Sequence, residues 1–257
     1  MSAKKILLLS AVLLLVGVMS YSAYQLSIIR ANYAQEAKVH ERMLQYRPVL
    51  QEPDFGGGSG SRLAASSAST LPTVNQSIID MQADYPDVIG WLTIPNTGID
   101  YPFAQGIDND YYLYLDLDKN RLTSGTLFMD FRNNSDFSDF NTIIFGHNMK
   151  NGSMFGTLKN FDDEAFFNTN SIGFIFAANE TYVVEFIAWI VMGADDDMVY
   201  NSMFSGDADG TAFLDYVRSI ARHYRDIGAE VSDKFVTLST CNYEFDDARM
   251  VLIGRVA

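Results

Sequence analysis

Phe235-Val236-Thr237-Leu238-Ser239-Thr240-Cys241 is a run of aromatic, β-branched and hydroxyl side chains that closes on the only cysteine in the chain. Such a run predicts a strand, with Cys241 at or just past its end. Eight residues after the cysteine, Arg249 starts or precedes a second β-favouring run, Met250 to Val256, predicted as the last strand. Two adjacent strands, one ending in cysteine and the next beginning near arginine, bring both side chains to one mouth of a barrel.

Upstream, the same texture repeats. Val88–Ile94, Ile99–Ala104, Gly125–Met129, Thr142–Gly146, Ser171–Ala177 and Thr181–Val191 are each rich in Ile, Val, Phe, Tyr or Thr and bounded by Gly, Pro, Asn or Asp. Ala178-Asn179-Glu180 reads as a hairpin loop. About eight short strands with few helices predict a mainly β fold, a closed barrel or a sandwich. Helices are expected at Asn75–Tyr85, in one or two short pieces within Ser153–Phe167, and over Ala208–Asp226. The last has Phe213, Tyr216, Val217, Ile220 and Tyr224 on one face and Asp207 or Asp209 available as a cap.

The N-terminal part differs. After Lys4 and Lys5, the 24 residues Ile6 to Ile29 carry no charge, enough for a helix to cross the hydrocarbon of a bilayer. The short lysine-bearing end favours a cytoplasmic N-terminus, with the rest of the chain outside. A cleaved signal peptide, with Ser20-Tyr21-Ser22-Ala23 near the cut, is the competing reading. The expected layout is therefore 1–5 cytoplasmic, 6–29 transmembrane, 30–70 an extracytoplasmic helix and flexible tether, and 71–257 the catalytic domain. Gly56-Gly57-Gly58-Ser59-Gly60-Ser61 and the Ala/Ser-rich stretch after it supply the tether. Residues 1–55 hold six Lys or Arg against four Asp or Glu, so with a formal charge of −14 overall the remainder carries −16. A domain that acidic does not suit a phosphate backbone, and nucleic acid is not an expected partner.

Outside the cytoplasm an unpaired cysteine is either inert and buried or a reactive thiol. Three histidines are available as its partner. His40 precedes the tether, and His223 sits between Arg222 and Arg225, off the apolar face of the expected helix. His147 ends the apolar run Thr142-Ile143-Ile144-Phe145-Gly146, where a strand would release it into a loop. Nearby positive charge favours a thiolate nucleophile, a histidine within reach protonates a leaving amine, and an arginine holds a carbonyl or its oxyanion. A surface ion pair of Arg249 with Asp246 or Asp247 is the plainer alternative.

Thr237-Leu238-Ser239-Thr240-Cys241 followed by Arg249 resembles the signature of the sortase family, and the upstream text resembles its class B. The matching runs are Gly90-Trp91-Leu92-Thr93-Ile94-Pro95, Tyr101-Pro102, Gln105-Gly106, Asp108-Asn109-Asp110-Tyr111-Tyr112-Leu113, Gly125-Thr126-Leu127-Phe128-Met129-Asp130, Asn141 to Met149, and Met154-Phe155. The resemblance implies an eight-stranded sortase β-barrel with N-terminal helices and one long helix before the cysteine-bearing strand. It implies that Cys241 attacks the threonine carbonyl of a C-terminal sorting signal, of the Asn-Pro-x-Thr type, on a surface protein or pilin. His147 would move the proton, and Arg249 would support the oxyanion. An amine of a peptidoglycan precursor or a pilin would resolve the thioacyl intermediate, with no metal or organic cofactor. Asn109, Leu113 and Ser239 match substrate-contacting positions of the class, and Tyr200 matches a tyrosine of the loop covering the site.

Two other readings remain at this level: a sortase-like peptidase that mainly hydrolyses, and a non-catalytic anchored barrel that binds a wall component. The acidic clusters Asp195-Asp196-Asp197 and Asp207-Ala208-Asp209-Gly210 fail the calcium-loop pattern, and are expected to be solvated loops and helix caps.

Overall fold

The computed structural model describes residues 2–49, 74–241 and 247–257, with Cys241 described by its backbone alone. The expected tether at 56–70 lies outside the described residues. The chain forms two compact units, Met1–Arg42 and Met43–Ala257. The first is most of one continuous helix, α1 (Ala3–Met43), joining the two helices expected on either side of Arg30. It is long and apolar enough to cross a membrane, and its apolar residues from Ile6 to Ile29 are exposed. It is a candidate membrane span.

The second unit is a barrel of β1 (Val88–Thr93), β2 (Asp100–Gln105), β3 (Leu127–Met129), β4 (Asn141–Phe145), β5 (Ile172–Ala177), β6 (Glu180–Gly193), β8 (Lys234–Cys241) and β9 (Ala248–Val256). Their order is β5-β1-β2-β3-β4-β8-β9-β6, and β6 pairs back onto β5 to close the ring of eight. Closure removes the open edges. A two-residue strand, β7 (His223–Tyr224), flanks β6. The hairpin between β5 and β6 turns on Ala178 and Asn179, since Ala177 pairs with Glu180. The expected strand limits agree with those found to within about two residues, the usual uncertainty of element ends.

Two clusters show why these strands are apolar on both faces. Inside the barrel, Val236, Leu238 and Leu252 pack with Phe103, Ile144 and Trp189. Outside it, Phe235, Val251 and Ile190 pack under Phe213 and Val217 of α4 (Asp207–Ile220), which follows the short helix α3 (Glu164–Thr169) in chain order. A strand with the core on one side and a helix on the other has no solvent face, so it reads as a continuous apolar run rather than an alternation.

The helix expected to reach Asp226 stops at Ile220. Ala221 turns extended, and the backbone N–H groups of Arg222 and Arg225 donate to Trp189 O at 2.9 Å and Ile187 O at 2.7 Å on β6. His223 is therefore on a strand, with Nε2 hydrogen-bonded to Asp162 O at 2.8 Å. Gly206, not an aspartate side chain, is the N-cap of α4; Asp209 instead accepts from Ser205 N–H at 2.9 Å. Asp196 accepts from Val199 N–H at 2.9 Å and from the Tyr216 hydroxyl at 2.6 Å. These carboxylates organise loops.

The entry helix α2 (Gln76–Asp84) is fixed to the barrel by its N-cap, Asn75. The buried Asn75 Nδ2 donates to Ala177 O at 2.6 Å, Glu180 O at 3.0 Å and Thr181 Oγ1 at 3.0 Å, clasping the β5–β6 hairpin. Asn75→Ala would remove the buried amide that ties these three acceptors together, and is expected to cost about 1–3 kcal/mol of unfolding free energy. Urea unfolding should show the midpoint falling with an unchanged slope.

Candidate active site

The site follows from two pairings. β4 and β8 run parallel, in a register that sets Phe145 beside Ser239, and Gly146 N–H continues the ladder to Ser239 O at 3.1 Å. Parallel strands end at the same side of a sheet, so the residues that follow β4 emerge where β8 ends. That puts the His147 segment next to the Cys241 backbone. β9 runs antiparallel to β8, and Cys241 pairs directly with Arg249.

At this end lies a cleft of about 350 Å³, lined by Asn109, Leu113, His147, Tyr200, Ser239 and Arg249 among others. All six sequence-chosen residues with described side chains thus face one cavity. The cysteine side chain falls outside the described residues; its chain neighbours Ser239 and Thr240 line the cleft.

His147 is held on one ring nitrogen. Its Nε2 lies 2.7 Å from Leu113 O, and a carbonyl only accepts, so Nε2 carries the hydrogen and Nδ1 is left for other partners. The Tyr114 ring, at 5.3 Å between centroids, packs against the imidazole. The accepting carbonyl lies against Gly125, which has φ +57° and packs so closely that a Cβ there would lie 2.4 Å from Leu113 O and 2.5 Å from Tyr112 O. Gly125→Ala therefore combines a left-handed backbone with a clash against the carbonyl that orients His147. It is expected to cost about 1–3 kcal/mol of stability and to lower kcat more than it changes KM, measurable by thermal unfolding and steady-state turnover.

Arg249 Nη1 donates to Ala248 O at 3.1 Å and Asp247 O at 3.3 Å. It makes no ion pair with Asp247; Asp246 lies outside the described residues. Opposite, the Tyr200 hydroxyl meets Ser239 Oγ at 2.7 Å.

The sequence reading did not select Asp130 and Arg132, which also line the cleft. Asp130 is fully buried and takes a two-pronged bond from Arg132, Nε at 2.9 Å and Nη2 at 2.7 Å, besides Asn109 Nδ2 at 3.1 Å. Burial pushes the Asp130 carboxyl up, but the hydrogen bonds from Arg132 and Asn109, with the Arg132 charge, outweigh it and hold the group below the usual carboxylate range. Because the folded-state value is lowered, the stability this pair gives is present above the ordinary carboxylate range. It is lost only as pH falls through the lowered value. The signal available in the sequence was an acid and a base two residues apart directly after an apolar strand.

A closed barrel presenting a strand-ending cysteine beside histidine and arginine segments defines a class, the β-barrel cysteine transpeptidases. The sortase domain family matches residues 92–257, and the chain belongs to that family, in its class B. It is similar to sortase B of Listeria monocytogenes, with 34% identity over 195 residues, covering 75% of this chain and 78% of that protein. Among solved structures, Clostridium perfringens sortase B superposes with a TM-score of 0.67 at 32% identity, covering 70% of this chain and 98% of that one. A Staphylococcus aureus sortase B–substrate complex superposes with a TM-score of 0.67 at 26% identity, covering 72% and 86%.

Proposed function

We propose that this sortase cleaves a C-terminal sorting signal of the Asn-Pro-x-Thr type after its threonine, and transfers the acyl group to an amine of a peptidoglycan precursor or a pilin. The observation that carries the reading is the β4–β8–β9 register, which gathers the His147 segment, Cys241 and Arg249 at one mouth of the barrel. In this mechanism the Cys241 thiol proton has passed to His147 Nδ1, the resulting thiolate adds to the threonine carbonyl carbon, and the carbonyl electron pair moves onto oxygen. The Arg249 guanidinium stabilises that oxyanion. As the C–N bond breaks, the leaving amine takes a proton from His147 Nδ1, and a thioester remains on Cys241. The acceptor amine then adds to the thioester, His147 Nδ1 takes the proton that this amine loses, and the thiolate departs as the new amide forms. Asn109, Leu113, Tyr200 and Ser239 are assigned to holding the signal. That an S. aureus sortase B has been solved as a substrate complex supports a substrate-binding role for the cleft.

The same proposal covers the layout. Residues 1–5 are cytoplasmic, 6–29 span the membrane, 30–70 form a helix and tether, and 71–257 work outside the cell; the lysines ahead of a charge-free run of 24 residues support it.

The deciding experiment offers the protein a library of sorting peptides with candidate amines and identifies products by mass spectrometry. Cleavage after threonine with the amine attached supports transpeptidation. Hydrolysed product alone, at every amine concentration, replaces it with a peptidase, and no turnover beside an unreactive Cys241 replaces it with a binding barrel.

A further inference from the structure

Asp130 and Arg132 follow β3 and take no part in the bond-making proposed above, yet they contact two of the residues lining the cleft, Asn109 and Tyr200. Asp130 receives Asn109 Nδ2 at 3.1 Å, and Asn109 Oδ1 in turn accepts Phe131 N–H at 3.1 Å. The Arg132 Nη2 that binds Asp130 also donates to Tyr200 O at 3.1 Å. On the adjoining strand, the buried Asn141 Nδ2 donates to Val199 O at 3.0 Å and to Asn201 O at 3.1 Å, while its Oδ1 accepts from Thr237 Oγ1 at 2.7 Å. Three successive carbonyls, 199 to 201, are thus held by two barrel side chains in a segment that has no helix or strand of its own.

We propose that Asp130, Arg132 and Asn141 are positioning residues that clamp the 194–206 segment to the barrel. The clamp holds Tyr200 and Asn109 in the lining of a groove formed before an extended peptide arrives. This rests on reading the cleft as a sorting-signal groove. The physical case is preorganisation: a wall already ordered in the free protein takes no further ordering entropy when substrate binds, so the clamp acts on KM. A lysine at 132 would keep the buried Asp130 charge-paired, but its single nitrogen cannot reproduce the planar Nε and Nη2 pair that grips the carboxylate and aims Nη2 at Tyr200 O.

The test uses the full chain in detergent, with Arg132→Lys and the charge-neutral pair Asp130→Asn with Arg132→Gln. Two quantities are read: steady-state turnover of a sorting peptide, and hydrogen exchange of the 198–203 amides without substrate. The clamp predicts faster exchange in that segment and a rise in KM of roughly tenfold, with kcat held within about twofold. An unchanged KM, or a fall in kcat at constant KM, overturns it. If the double variant fails to fold, Arg132→Lys decides alone. If wild-type protein turns over no sorting peptide, the functional reading has failed. Exchange then decides the clamp by itself: equal protection in wild type and variants overturns it, and lost protection in the variants upholds it.

Discussion

Cys241→Ala is expected to abolish both cleavage and amine transfer, a loss of roughly 10⁴-fold or more in kcat, as for removal of other covalent nucleophiles. The barrel should survive the change. Cys241 is the last residue of β8, and its pairing with Arg249 is made by backbone groups that alanine keeps. Circular dichroism and melting temperature should therefore stay close to wild type while turnover disappears. With a poor acceptor amine, intact-mass spectrometry of wild-type protein should trap the acyl group as an added mass, and the alanine variant should carry none. Cys241→Ser tests the thiolate itself. A hydroxyl in the same place is far less acidic, so the serine variant should be nearly as inactive as alanine. Residual turnover above about a hundredth of wild type in Cys241→Ala would leave the reaction to another nucleophile.

The strands were legible because a closed barrel with an outer helix makes them apolar on both faces and bounds each with turn residues. Phe235 to Thr240 shows this, with every described side chain buried. The end of α4 was not legible. Its apolar spacing continues through Tyr224, yet the amides of Arg222 and Arg225 find β6 carbonyls, and edge pairing wins over one more helical turn. That partner lies more than thirty residues upstream, and local periodicity cannot report it.

The site divides the same way. His147, Cys241 and Arg249 could be selected as candidates because each stands at a strand boundary in a chain with one cysteine and few histidines, and because each falls on the sortase signature. That their segments come to one end of the barrel depends on the parallel β4–β8 pairing, a fact of topology that the spacing of 94 residues between histidine and cysteine does not contain. Tyr200 sits in a stretch with poor resemblance to the class, and its place is set by contacts distant in sequence, its hydroxyl against Ser239 and its carbonyl against Arg132. Asp130 and Arg132 were passed over because charged residues after a strand are usually solvated. Here the barrel buries the carboxylate, and the arginine reaches a carbonyl 68 residues away.

His147→Ala is expected to lower kcat by roughly 10²–10⁴-fold, the range for loss of a general acid–base. The cause is the single free nitrogen. With Nε2 committed to Leu113 O, all proton traffic of the imidazole passes through Nδ1, and alanine removes both the acid for the leaving amine and the base for the incoming one. KM should change little, because the Asn109 and Tyr200 walls do not use the imidazole. The same logic separates this variant from Gly125→Ala, where the ring remains but the carbonyl that aims it is displaced. That glycine variant should retain more activity than His147→Ala, and adding alanine at 147 to it should bring turnover down to the level of His147→Ala alone. Two residues serving one proton path cannot be lost twice, so their combined effect must fall short of the product of the separate losses. Fully multiplicative losses, or a His147→Ala kcat within tenfold of wild type, would detach Leu113, Gly125 and His147 from a shared role and leave the leaving amine to be protonated by water.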